Sequence, residues 1–196
     1  FQIRKHDLSY SQTFFMSTIL LTGGFGYIGS HTAALLAEKN KDFVIYDNFS
    51  NSKYSVLERL EKTVCKKIKY IKGDIKDTEK LIEILKKNRI NSVIHFAALK
   101  SVRESIINPI KYYEINVGGT ISLIKAMKKT NVKNLLFSSS ATIYGDPKYL
   151  PIDENHPLRA KNPYGQTKLI VENILRDLIV AEKDWSITSL RYFNPI

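Results

Sequence analysis

Cysteine is almost missing from this sequence. With Cys65 alone among 196 residues, no disulfide can form within the chain, and His6, His31, His95 and His156 show no metal-ligand spacing with it. No metal is therefore expected. Long apolar runs are lacking too. The longest candidate, Phe14 to Leu21, is interrupted by Ser17 and Thr18, well short of the ~18 residues a membrane span needs. Arg4 and Lys5 precede that patch as in a secretory signal, but no small-residue cleavage site follows. A soluble cytoplasmic protein with no membrane partner is expected, and the glycosylation pattern Asn48-Phe-Ser50 is then a coincidence. Acidic residues are the scarcer charge, 19 against 30 basic, giving +11. The lysines are nevertheless dispersed in pairs such as Lys66-Lys67, Lys86-Lys87 and Lys128-Lys129. No basic stripe with interleaved aromatics appears, so nucleic acid is not the expected partner.

What is present is an alternation. At 43% hydrophobic the chain can bury one substantial core. Residues 1–15 have no period and read as an unstructured or extraneous leader, so one domain is expected over 16–196. There, short apolar runs (Thr18–Thr22, Phe43–Tyr46, Ile68–Ile71, Ser92–Phe96, Asn134–Phe137, Ser186–Tyr192) alternate with amphipathic ones. The latter are Ile28–Asn40, Val56–Thr63, Thr78–Lys87, Tyr112–Lys129 and Pro163–Glu182. Repeated strand-helix units predict an α/β fold with a doubly wound parallel sheet. Ser139–Asn162, polar and carrying Pro147, Pro151 and Pro157, reads as a long loop.

Between the first strand and helix lies Gly23-Gly-Phe-Gly26-Tyr27-Ile28-Gly29. Its glycines permit a sharp turn, close approach of backbone N–H groups to a pyrophosphate, and tight packing of the helix whose positive end faces the phosphates. A P-loop is excluded, because Ser30-His31 follows Gly29 where Lys and then Ser or Thr would be required. The next strand ends in Asp47, 18 residues after Gly29, where an acid binds ribose hydroxyls and repels a 2'-phosphate. The motif predicts a Rossmann-like domain that prefers NAD to NADP.

Further on, Tyr164 and Lys168 fall four residues apart, on one face of a helix if Pro163 begins one. Bringing a phenol from about 10 to near 7 takes roughly 4 kcal/mol, part of which a neighbouring cation can supply. With the hydroxyl run Ser138-Ser-Ser140 upstream and the nucleotide turn before it, these residues suggest a phenol poised as a base.

The blocks Thr22–Gly29, Asp47–Ser52, Gly73–Ile75, Val93–Lys100, Asn116–Thr120, Phe137–Gly145, Tyr164–Lys168 and Arg191–Pro195 together resemble extended short-chain dehydrogenase/reductases. Within these the chain looks like the UDP-glucose 4-epimerases. The resemblance implies that Tyr164 removes the 4-hydroxyl proton of a UDP-sugar as hydride passes to NAD, with a transient 4-keto sugar and inversion between UDP-galactose and UDP-glucose. It assigns Lys168 to lowering the phenol pKa and holding the nicotinamide ribose, and Ser140 to the 4-oxygen. It implies cofactor contacts from Gly23, Gly26, Tyr27, Ile28, Gly29, Asp47, Asn48, Asn51, Ser52, Asp74, Ile75, Phe96, Ala97, Lys100, Asn116 and Phe193, and a substrate contact from Asn194. It also implies a homodimer paired through Tyr112–Lys129 and Pro163–Glu182, and a substrate lobe beyond Ile196, so that the sugar pocket would be incomplete here. Related 4,6-dehydratases carry an acid pair where this chain has Ala141-Thr142. A nucleotide-sugar epimerase for N-acetylated or uronic sugars, and a non-catalytic NAD-binding module, are the alternatives.

Overall fold

The structure, a computed structural model, describes residues 17–195. The expected leader over residues 1–15 and the expected start at Met16 lie outside them. Six parallel strands form one sheet: β1 (Thr18–Thr22), β2 (Phe43–Asp47), β3 (Tyr70–Lys72), β4 (Ile90–His95), β5 (Asn134–Ser140) and β6 (Ser186–Tyr192), in the order β3-β2-β1-β4-β5-β6. The helices are α1 (Tyr27–Glu38), α2 (Tyr54–Val64), α3 (Thr78–Lys87), α4 (Val102–Ile107), α5 (Pro109–Tyr112), α6 (Gly119–Lys129) and α7 (Pro163–Ala181). The chain steps outward from β1 to β3, then crosses back to lay β4 on the other side of β1. This is the expected doubly wound sheet, with its switch point between the carboxyl ends of β1 and β4, where Thr22 pairs with His95. Among the described residues no helix is long and apolar enough to cross a membrane.

Strand periodicity builds two cores. Successive residues point to opposite faces, so Leu20 and Val44 join Leu81, Leu123, Phe137 and Val171 on one side of the sheet. Leu21 and Ile45 join Phe25, Ala33 and Leu60 on the other. Both faces are covered by helices, which is why the central strands carry almost no charge.

The structure departs from the sequence expectations in three places. β5 runs on through Ser140, and a single 3-10 turn, Ala141–Ile143, follows before the long loop begins. The hydroxyls of Ser138–Ser140 do not end the strand, because β6 pairs with it to the last residue, Ser140 against Tyr192. The helix expected at Tyr112 instead begins at Pro109, which occupies a first-turn position needing no N–H, and Tyr113–Gly118 forms a π-helical segment before α6. Finally, α4 is an additional helix. Ser101 caps it by accepting from the Glu104 amide at 3.2 Å, a Ser-x-x-Glu signal visible in the sequence.

One ionic cluster ties the second half of the sheet together. Arg191 on β6 grips Glu172 of α7 with two N–H groups at 3.1 and 2.8 Å, and Ser139 of β5 donates to the same carboxylate at 2.5 Å. Glu172 is buried and Arg191 nearly so; the guanidinium also donates to the Tyr144 hydroxyl at 2.9 Å, reaching the long loop. Removing one member of a buried pair leaves the other charge uncompensated. Glu172→Ala is therefore expected to destabilise the fold by about 3 kcal/mol in equilibrium urea unfolding, whereas Lys67→Ala, which unpairs the exposed contact with Glu61, should leave the unfolding midpoint nearly unchanged.

Candidate active site

The glycine turn is built by close approach. Gly23 leaves β1 with φ +68, and a Cβ there would lie 2.6 Å from the Ala97 amide nitrogen. The turn can pass the end of β4 only without a side chain. At Gly29 a Cβ would meet the Gly23 carbonyl oxygen at 2.5 Å, so α1 starts directly against the turn. These contacts open a cleft of about 620 Å³ above the switch point, within the usual range of ligand sites. It runs from Asn48, Asn51 and Ser52, past the glycines, to Ser140, Tyr164 and Lys168.

Most residues proposed from sequence line this cleft: Gly23, Gly26, Tyr27, Ile28, Gly29, Asp47, Ile75, Phe96, Ala97, Lys100 and Phe193 join those just named. Others are placed differently. Asn116 is buried in the π-helical segment and does not line the cleft. Its side chain accepts from the Leu99 amide at 2.8 Å and donates to the Leu99 carbonyl and to Thr167, each at 3.0 Å. It is a clamp between the end of β4 and α7. The Asp74 carboxylate is turned to the Lys76 amide and the Asn48 side chain. Asn194 is exposed and lies outside the cleft lining. The carboxylate of Asp47 accepts from the Phe25 amide at 3.0 Å, the Phe49 amide at 2.8 Å and Ser52 at 3.1 Å, so it also fastens the turn to β2. Sequence reading missed Lys53 and Arg59, which line the cleft with Asn51 and Ser52; just before α2 and on it, they look like any solvated charge.

At the other end, the chemistry concentrates. The Lys168 ammonium is buried, donates to the Ser138 carbonyl at 2.7 Å and lies 4.8 Å from the Phe137 ring centroid. Burial pushes it down to about 7. The same burial raises Tyr164, partly offset by a side-chain interaction with Ser140. The expected lowering of the phenol by Lys168 is thus not met in the protein alone: the ammonium is aimed at a carbonyl, 6.0 Å from the Tyr164 ring centroid, and is itself close to neutrality. Ser140 accepts from the Thr142 amide at 3.2 Å and from the Thr142 hydroxyl at 3.0 Å. With both acceptor sites engaged, its own proton remains free to donate.

The residues fit a dinucleotide: a side-chain-free turn at a helix N-terminus, ribose-end polar groups, and hydroxyls with an ammonium at the far end. Among the described residues no three His, Cys, Asp or Glu side chains group as metal ligands would.

Comparison with known proteins agrees with this geometry. Residues 20–195 match the sequence profile of the GDP-mannose 4,6-dehydratase family. The UDP-glucose 4-epimerase of Bacillus subtilis (strain 168) is 50% identical over 177 residues, covering 90% of this chain and 52% of that protein. A UDP-glucose 4-epimerase of Bifidobacterium longum, crystallised with NAD+ and UDP, superposes with a TM-score of 0.89 at 48% identity, covering 92% of this chain and 54% of that one. The epimerase of Stenotrophomonas maltophila, with NAD and a formylated UDP-arabinopyranose, gives 0.90 at 42% identity, with the same coverage of each chain. The chain spans about half the length of the curated relatives it matches.

Beneath the cleft, His95 is fully buried. Burial, and then the charge of Lys168, push it down to about 3. The folded protein keeps the imidazole neutral while the unfolded chain takes up a proton below about 6.5. Its share of stability is therefore whole above that pH and is lost progressively as pH falls toward 3. Between pH 7 and pH 5 the loss should be about 2 kcal/mol in chemical denaturation, and His95→Gln should remove this component of the slope.

Proposed function

The chain belongs to the GDP-mannose 4,6-dehydratase family, and from that premise we propose that it binds NAD in this cleft and there inverts a UDP-sugar at C4, interconverting UDP-galactose and UDP-glucose. The observation that carries the reading is a single cleft lined by the glycine turn, Ser140, Tyr164 and Lys168. Bound NAD supplies a hydride acceptor that gives the hydride back. Everything else falls to side chains. Ser140, able only to donate, orients the 4-oxygen, and Tyr164 takes its proton and later returns it. Burial favours the neutral phenol, so removal of its proton calls for positive charge nearby. Lys168, held near neutrality by the same burial, supplies that charge by taking up a proton as the phenolate forms.

Epimerisation is favoured over the dehydration for which the family is named by the scarcity of acid. Asp47 is the single carboxylate among the described residues lining the cleft, and it stands at the ribose end, engaged by three hydrogen bonds. Elimination of water requires a second proton donor beside the sugar. A purely NAD-binding module is disfavoured because burying an ammonium is costly and binding a dinucleotide does not need it. The choice of UDP-galactose over N-acetylated or uronic sugars follows the reaction named for the relatives.

Two measurements test the reading. NAD+ should bind the chain in calorimetry and Gly23→Val should abolish binding; unchanged affinity in that variant would remove the turn from the site. A chimera continued after residue 195 by the corresponding part of the Bacillus subtilis relative should epimerise UDP-galactose. Tyr164→Phe in it should lower kcat by about 10³-fold, at the middle of the range for a lost general base, with NAD still bound; an unchanged kcat would end the assignment of the base.

A further inference from the structure

Five buried side chains that do not line the cleft form one continuous chain beneath it. Thr22 contacts His95 Nδ1 at 2.6 Å, and His95 Nε2 contacts the Thr120 hydroxyl at 2.9 Å. Thr120 donates to the main-chain carbonyl of Asn116 at 2.6 Å, the Asn116 side-chain amide donates to the Thr167 hydroxyl at 3.0 Å, and Thr167 donates to the main-chain carbonyl of Tyr164 at 2.7 Å. Thr22 immediately precedes Gly23. The chain thus links the cofactor turn on β1 to the first turn of α7.

Its direction is determined. Thr120 spends its single proton on a carbonyl, so it must accept from His95, which places the imidazole proton on Nε2. Nδ1 is then an acceptor and Thr22 the donor. Every member has one role, and no buried polar side-chain atom among the described residues is left without a partner. A charged imidazolium would present a proton to Thr22 at Nδ1 and, beside the Lys168 ammonium, would be repelled.

We propose that neutral His95 is a positioning residue, coupling occupancy of the cofactor turn to the placement of the helix turn that bears Tyr164 and Lys168. The proposal rests on the nucleotide reading of the cleft. It gives the binding energy of the adenosine diphosphate half of a cofactor a route to the reacting end that needs no direct contact there.

The experiment uses ADP, which lacks the nicotinamide riboside. Saturating ADP should slow amide hydrogen exchange at Gly165–Lys168 about fivefold, in the lower range of measured couplings between sites. In His95→Leu, at saturating ADP, the slowing should vanish, and in His95→Gln, which keeps one acceptor and one donor, it should return. Equal slowing in His95→Leu would overturn the coupling. Should that variant not fold, 15N spectra of the imidazole in the unaltered protein decide: neutral with the proton on Nε2 supports the proposal, and a proton on Nδ1 overturns it. Failure of ADP to bind would instead overturn the nucleotide reading, and the tautomer, measured without ligand, tells the two failures apart.

Discussion

The absence of a side chain at Gly23 is the constraint on which the cleft depends. β1 and β4 are adjacent parallel strands, and the chain leaving β1 must pass the chain leaving β4 at backbone contact distance. A left-handed φ and a missing Cβ satisfy both demands at one position. Once the turn is that tight, α1 must start against it, which Gly29 permits, and the free N–H groups at the helix end face open space. The carboxylate of Asp47 then has a second task besides any ribose contact, since it fixes the turn to β2 through the Phe25 amide. The cradle is thus formed by the protein before a ligand arrives.

The opposite end of the cleft is governed by desolvation. Tyr164, Lys168 and His95 are all driven toward neutrality by burial. A site of this kind stores no fixed charge of its own. It responds to charge delivered by what binds, because in a poorly solvated cleft one added charge shifts its neighbours strongly. This explains why the sequence expectation about Lys168 failed for the protein alone: a spacing of four residues places two groups on one helical face but does not say where the ammonium points. Here the Ser138 carbonyl, presented by β5, captures it.

That contrast marks what the sequence made legible. Strand and helix alternation and the doubly wound parallel sheet follow from local periodicity, and the glycine turn, Ser140, Tyr164 and Lys168, read from short motifs and the family resemblance, line one cleft. Asn116 and Asp74, assigned to the cofactor by the family resemblance, turn their side chains to neighbouring groups, Asn116 to Leu99 and Thr167 and Asp74 to the Lys76 amide and Asn48, contacts that a linear reading does not show. The hydrogen bonds of His95 and the Glu172–Arg191 pair were not foreseen. Their significance lies in contacts spanning 73, 25 and 19 residues, and a lone histidine or glutamate carries no spacing signal. The π-helical segment escaped for another reason: the apolar period from Tyr112 continues into α6 almost unbroken, while the backbone inserts its wider turn where Asn116 must reach Leu99.

The chemistry open to the site is narrowed by Thr142 as much as by the residues that line the cleft. By donating its amide and its hydroxyl to Ser140, it uses the acceptor capacity of that oxygen and leaves a donor directed away from itself. At 141 and 142 the chain offers a methyl group and a hydroxyl already committed. A sugar beside Tyr164 would then meet one group able to exchange a proton and one able only to hold the oxygen. On the proposed reading, such a site takes a proton from the sugar 4-oxygen and returns it but has no second acid with which to expel a hydroxyl from the next carbon, so that the proposal of reversible inversion is the one these constraints favour.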